Sequence, residues 1–162
     1  SEAKDLFDGM VRYYLAHPSQ IGSHLMAWQQ SDTGSALTET DGADSATDGD
    51  MDIAYALLLA DKVWGSSGSF DYGAMGKAVL EDIMTYEVDQ TAWTLSLGDW
   101  TYGSSGSKYD GATRASDFIL QYLPVFAKVT GDERWTKVYD RTNAIVTDKD
   151  FSTEARASLY VG

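Results

Sequence analysis

The reactive side chains of this sequence are carboxylates. It holds 25 Asp+Glu against 12 Lys+Arg, no Cys, and two histidines, His17 and His24. Without thiols there is neither a disulfide framework nor thiolate chemistry. Two histidines are too few for a histidine-rich metal centre. The Gly-Ser-Ser-Gly-Ser stretches at 65–69 and 103–107 lack the G-x-S-x-G spacing of a nucleophile elbow. Neither a G-x-G-x-x-G nor a phosphate-binding loop motif occurs. Carboxylates acting alone chiefly cleave glycosidic bonds, one acid protonating the leaving oxygen and one base activating water. The 5 Trp and 10 Tyr supply aromatic platforms for the C–H faces of sugar rings.

The densest acidic cluster is Asp41, Asp44, Asp48, Asp50 and Asp52. One reading is local: Ser45, Thr47 or Asp48 caps a helix, and acids in its first turn favour the positive end of the dipole. A second is calcium, because Asp48, Asp50 and Asp52 form D-x-D-x-D. An EF-hand loop then needs Gly at its sixth place and Glu at its twelfth, where Ile53 and Leu59 stand. A third is an active-site carboxylate at the mouth of a helical barrel.

The elements that would position these groups read as helices. Leu6, Phe7, Met10, Val11 and Tyr14 recur at helical spacing, and Pro18 stops that run after His17. A second helix runs from about Asp50 to Trp64, apolar nearly all round and so expected to be buried on most sides. A third carries Tyr72, Met75, Val79, Ile83 and Tyr86. A fourth holds Phe118, Tyr122, Phe126 and Val129, with Pro124 a kink or a late start. A fifth carries Trp135, Val138, Thr142 and Ile145, and 153–160 is a candidate sixth. Gly131 and Asp132 read as a C-cap and the following N-cap. There is little sign of strands; 25–28 and 95–97 are short extended candidates. Short loops between successive helices predict an all-α antiparallel array in a single domain over 1–162.

Composition narrows the partners. The net charge is −13 and the isoelectric point about 4.3, so nucleic acid, which needs a basic face, is not expected. The longest apolar run, Ile53 to Ala60, is far short of the ~20 residues that span a bilayer. Residues 1–5 show no signal-peptide pattern. At 162 residues a chain affords one core rather than two.

The segment Ala46-Thr47-Asp48-Gly49-Asp50-Met51-Asp52, continuing through Ile53, Ala54, Ala56 and Ala60 to Trp64, resembles the 19-residue signature of glycoside hydrolase family eight. That family holds endoglucanases, chitosanases, lichenases and xylanases. Leu25-Met26-Ala27-Trp28 resembles its loop with a sugar-stacking tryptophan, and Thr130-Gly131-Asp132-Glu133-Arg134-Trp135 its common helix junction. Trp93 to Trp100 and Thr113 to Phe118 look most like the chitosanase and lichenase branch.

The resemblance implies an all-α fold, part of an (α/α)6 barrel with about half of the twelve helices. It implies an inverting endo-β-1,4-glycanase acting on chitosan or a β-glucan, or a segment of one, secreted and needing no cofactor or metal. The alternative is a non-catalytic helical carbohydrate-binding or structural protein derived from that fold. Carried over by position, Asp48 is the active-site aspartate, ionised at a helix N-terminus and set against the sugar ring. Trp28 is the stacking platform. Asp117 is a substrate-binding candidate suited to a glucosamine amine, with N-capping of the fourth helix as the alternative. Asp50 and Trp100 complete the substrate-binding candidates. The family's acidic Glu motif is not matched by Ser1-Glu2, and Asp110 in Tyr109-Asp110 is a weak match to the base. Half a barrel would expose apolar faces, so self-association or a missing complementary segment is expected.

Overall fold

The computed structural model describes residues 1–40 and 42–147. Asp41 and the candidate sixth helix at 153–160 lie outside the described residues. Apolar residues at helical spacing form five α-helices: α1 (Glu2–Ala16), α2 (Thr47–Trp64), α3 (Tyr72–Asp82), α4 (Leu123–Thr130) and α5 (Arg134–Thr147). Gly65 (φ 72°) ends α2, and Gly131 (φ 68°, ψ 14°) ends α4 in the left-handed conformation that lacks a Cβ penalty. Among the described residues no helix is long and apolar enough to cross a membrane.

Several expectations shift. α2 begins at Thr47, and its N-cap is Ala46, with no side-chain cap; none of Ser45, Thr47 and Asp48 caps it. It is also less enclosed than its composition predicts, because Leu59 and Val63 are exposed. Met51, Ala54, Leu57 and Ala60 form the buried stripe instead. The third apolar stripe does not stay α-helical: α3 passes into a π-helical turn, Ile83–Glu87. α4 is a late start with Pro124 in its first turn, preceded by a 3-10 turn, Ala115–Asp117. Asp117 therefore does not cap α4. Two antiparallel ribbons pair β1 (Gln30–Asp32) with β2 (Leu37–Glu39) and β3 (Val88–Asp89) with β4 (Thr94–Leu95); of the two extended candidates, 95–97 shares only Leu95 with β4, and 25–28 forms only the isolated bridge of Met26 with Pro18.

The core lies where α2 and α3 pack closely and α4 and α5 close one side. Gly76 of α3 meets Leu58 and the Ala54 carbonyl, so a Cβ there would stand 3.1 Å from Leu58. The small residues of α2 and α3 thus permit a tight crossing. Phe126 and Trp135 meet at 67° with ring centres 5.1 Å apart, joining α4 to α5. α1 docks through Phe7, whose ring lies 5.5 Å from Trp64 and 5.7 Å from Tyr72. The Tyr72 hydroxyl donates to buried Asp8, which also pairs with Lys4 at 2.9 Å.

Candidate functional site

The N-terminal end of α2 brings the candidates together. Asp48 lies in the first turn, with its side chain 38% exposed. Trp28, on the loop entering β1, is 52% exposed. The two flank an open cleft of about 270 Å³, lined also by Met26, Ala27, Ala46, Gly49, Asp50 and Ile53. An indole with half its surface in water, beside a carboxylate, is the arrangement a sugar ring needs for stacking and hydroxyl contacts.

Arg114 holds Asp48 from one side. Its guanidinium donates to Asp48 Oδ1 (3.4 Å), to Asp117 Oδ1 (3.3 Å) and to the Leu97 carbonyl (3.1 Å). Gly49 N–H also donates to Asp48 Oδ1, at 3.0 Å. Asp117 has no exposed surface. Burial pushes its carboxyl up to about 7, Arg114 opposing and Asp48 adding to the rise. The structure thus joins Asp117 to Asp48 through Arg114 and sets it behind the cleft rather than at its surface.

Asp50 is likewise buried. Its Oδ1 accepts the Met26 N–H at 2.9 Å, tying α2 to the loop of Trp28. Burial raises its carboxyl to about 7. Trp100 packs edge-on against Tyr109, ring centres 5.1 Å apart, and does not line the Trp28 cleft. Glu2 opens α1 and is exposed, whereas Asp110 accepts the Gly106 N–H at 2.8 Å within its own loop. Asp48, Asp50 and Asp52 do not converge: their partners are Arg114, Met26 N–H and the Tyr122 hydroxyl.

A model of the glycosyl hydrolases family 8 matches residues 1–156. The chain belongs to glycosyl hydrolase family 8. A β-glucanase of Niallia circulans is 52% identical over 144 residues, 89% of this chain and 34% of the relative. Endoglucanase A of Acetivibrio thermocellus is 38% identical over 88% of this chain and 28% of its own. The family-8 chain therefore spans about a third of the length of the curated relatives it matches. Among solved structures, a β-1,3-1,4-glucanase from Paenibacillus sp. X4 superposes with TM-score 0.82 at 48% identity, covering 92% of this chain and 38% of that one. A cold-adapted family 8 xylanase superposes with TM-score 0.74 at 20% identity, which speaks to fold alone. The five helices are part of the (α/α)6 barrel of the family.

Two buried carboxylates that the sequence did not single out lie next to the cleft-lining start of α2. Glu87 is fully buried at the end of the π-helical turn and accepts the Ser45 hydroxyl at 2.6 Å. Buried Asp99 accepts the Ser45 N–H at 2.9 Å, the Gly22 N–H at 3.0 Å and the Ser19 hydroxyl. A signal for Glu87 existed. Val79, Ile83 and Glu87 are four apart, so a carboxylate stands on a buried stripe. Asp99 and the clamping role of Arg114 sit in loops, where no periodicity speaks.

Proposed function

We propose that this chain is the segment of an endo-acting, configuration-inverting β-glucan hydrolase that carries the ring platform and Asp48. The observation that carries this reading is Trp28, exposed beside Asp48 over the open cleft. Trp28 stacks on a sugar ring. Asp48, held by Arg114 and the Gly49 N–H, accepts hydrogen bonds from sugar hydroxyls and favours positive charge developing on the ring. No covalent step is assigned to Asp48, since inversion proceeds by direct attack of water. Asp50 and Asp117, both buried, hold Met26 and Arg114 rather than touching sugar; Trp100 is assigned to an outer sugar contact. A β-glucan substrate is supported by the names of the relatives, a β-glucanase and endoglucanases. Chitosan is the second reading, favoured by the charge of −13, which attracts a cationic polymer. An extracellular setting follows from a polymeric substrate.

Electrophoresis through gels containing lichenan, carboxymethylcellulose or chitosan tests the reading. Retardation in a β-glucan gel is expected. Trp28→Ala should weaken it about tenfold, the scale of one lost aromatic contact, with little change in stability because Trp28 is half exposed. The isolated chain is expected to release almost no reducing sugar. Turnover that vanishes in Asp48→Ala would show the site to be complete within these residues. Absence of retardation in all three gels would exclude a saccharide cleft.

The apolar groove between α1 and α2, about 430 Å³, is flanked by exposed Leu6 and Met10. We assign it to self-association or to a complementary segment. Sedimentation of the chain should show oligomers that Leu6→Ser with Met10→Ser reduces; a monomer at all concentrations argues against this.

A further inference from the structure

A network of buried carboxyls underlies the cleft, and no step of the proposed chemistry uses Glu87. Glu87 Oε1 accepts from Ser45 Oγ at 2.6 Å, and Asp50 Oδ1 accepts from Met26 N–H at 2.9 Å. Their other oxygens, Asp50 Oδ2 and Glu87 Oε2, are buried and meet no N–H or O–H donor among the described residues. The two carboxyls instead interact with each other across the junction of α2 and the π-helical turn. Two carboxylates in contact, away from water, are stable only when a proton lies between them. A π-helical turn costs hydrogen-bond geometry and persists mostly where a site requires it. Here it ends on Glu87, delivering that side chain beneath Asp50 and Ser45.

We propose that Glu87 is a positioning residue of the saccharide cleft: it shares one proton with Asp50, and the pair fixes the Met26–Trp28 loop and the start of α2 bearing Asp48. The inference rests on the saccharide-binding reading above. The linkage runs in two directions. Through Asp50 the pair holds the Met26 amide, two residues before Trp28. Through Ser45 it holds the backbone three residues before Asp48, since Ser45 N–H also donates to Asp99 Oδ1 at 2.9 Å. Groups facing the pair are Asp99, from the 3-10 turn Asp99–Thr101, and the Tyr14 phenol of α1. Loss of the shared proton leaves two buried negative charges beside a third carboxyl. The pair must then separate, releasing the Met26 amide and misplacing the platform.

The test compares Glu87→Gln and Glu87→Ala with the unaltered chain by amide exchange at 25–28 and by retardation in a lichenan gel. Glutamine keeps an acceptor for Ser45 and supplies an N–H for Asp50, reproducing the pair with its proton. Glu87→Gln should match the unaltered chain in both measurements at about pH 6. Glu87→Ala should speed exchange at Met26 and weaken retardation, each about tenfold, the scale of one lost buried hydrogen bond. From about pH 6 to about pH 9 the unaltered chain should lose retardation more steeply than Glu87→Gln, which keeps only the titration of Asp117 behind Arg114. Equal pH dependence in the two, or alanine matching the unaltered chain, overturns the proposal. If alanine fails to fold, the comparison with glutamine decides alone. If no form binds glucan, the saccharide reading fails, and amide exchange at Met26 still decides whether Glu87 positions this loop.

Discussion

At about pH 5 the chain should resist urea better than at about pH 8, by a difference of at least ~3 kcal/mol. Asp50 and Asp117 are raised by burial from an ordinary 3.8 to about 7, and Glu87 is raised well above its ordinary value. A folded state with raised carboxyl values keeps protons that the unfolded chain has already released. Between about 4 and 7 the native state therefore binds more protons, and stability falls as pH rises through that window. Each unit of separation is about 1.4 kcal/mol, so a single buried carboxyl raised by three units contributes roughly 4 kcal/mol across it. The opposite sign holds lower down. Asp8 is depressed by Tyr72 and Lys4, Glu39 by His17, and Asp132 by Arg134. Their contribution is complete above the ordinary carboxylate range and is lost as pH falls below it. Stability should thus peak near pH 4 to 5, at about the crossing of the two sets. Urea midpoints across this range check the shape, and Asp50→Asn should flatten the neutral limb. A curve that rises steadily from acid to neutral pH would contradict the burial of these groups.

Gly98→Ala should cost at least about 3 kcal/mol, and enough to leave little folded chain if the margin is small. The reason is space rather than backbone preference: φ at Gly98 is 170°, extended and open to any residue. A Cβ there would lie 2.2 Å from the Ser45 carbonyl oxygen and 2.8 Å from Trp100 Nε1. The indole could turn, but the Ser45 backbone is fixed by its N–H bond to Asp99 Oδ1 and by its hydroxyl on Glu87. Relief of the clash must therefore break into the carboxyl network under the cleft. Gly9→Ala is the control. Nothing stands within 4 Å of a Cβ at Gly9, which lies inside α1, so alanine should stabilise by about 0.5–1 kcal/mol. Urea midpoints at constant slope measure both; a neutral Gly98→Ala would show that the backbone at Ser45 yields.

Much of the fold was legible because helical burial is periodic. The spacing of Leu6 to Tyr14 and of Trp135 to Ile145 predicts α1 and α5 within a few residues of Glu2–Ala16 and Arg134–Thr147. Gly131 marks the α4 terminus because only a residue without a Cβ adopts φ 68° freely. The two ribbons were legible only at Leu95, within the extended candidate 95–97, because each strand has only two or three residues, too short for an alternation to register. The π-helical turn escaped for a different reason: its sequence, Ile83 to Glu87, continues an ordinary helical stripe.

The sequence by itself determined the family, through a contiguous signature from Ala46 to Trp64, and with it the helical class and the pairing of Asp48 with Trp28 as candidates. Those signals are local in the chain, carried by residue type and short spacing. Tertiary structure alone decided which carboxylates face water. Asp48 and Asp50 are two residues apart on one helix and both line the cleft, yet the Asp48 side chain is partly exposed whereas the Asp50 carboxyl is buried on Met26. It also drew Glu87 and Asp99 beneath them, from positions 42 and 54 residues beyond Ser45. The charge state of a carboxyl depends on the water and partners around it, and those are set by contacts between distant segments.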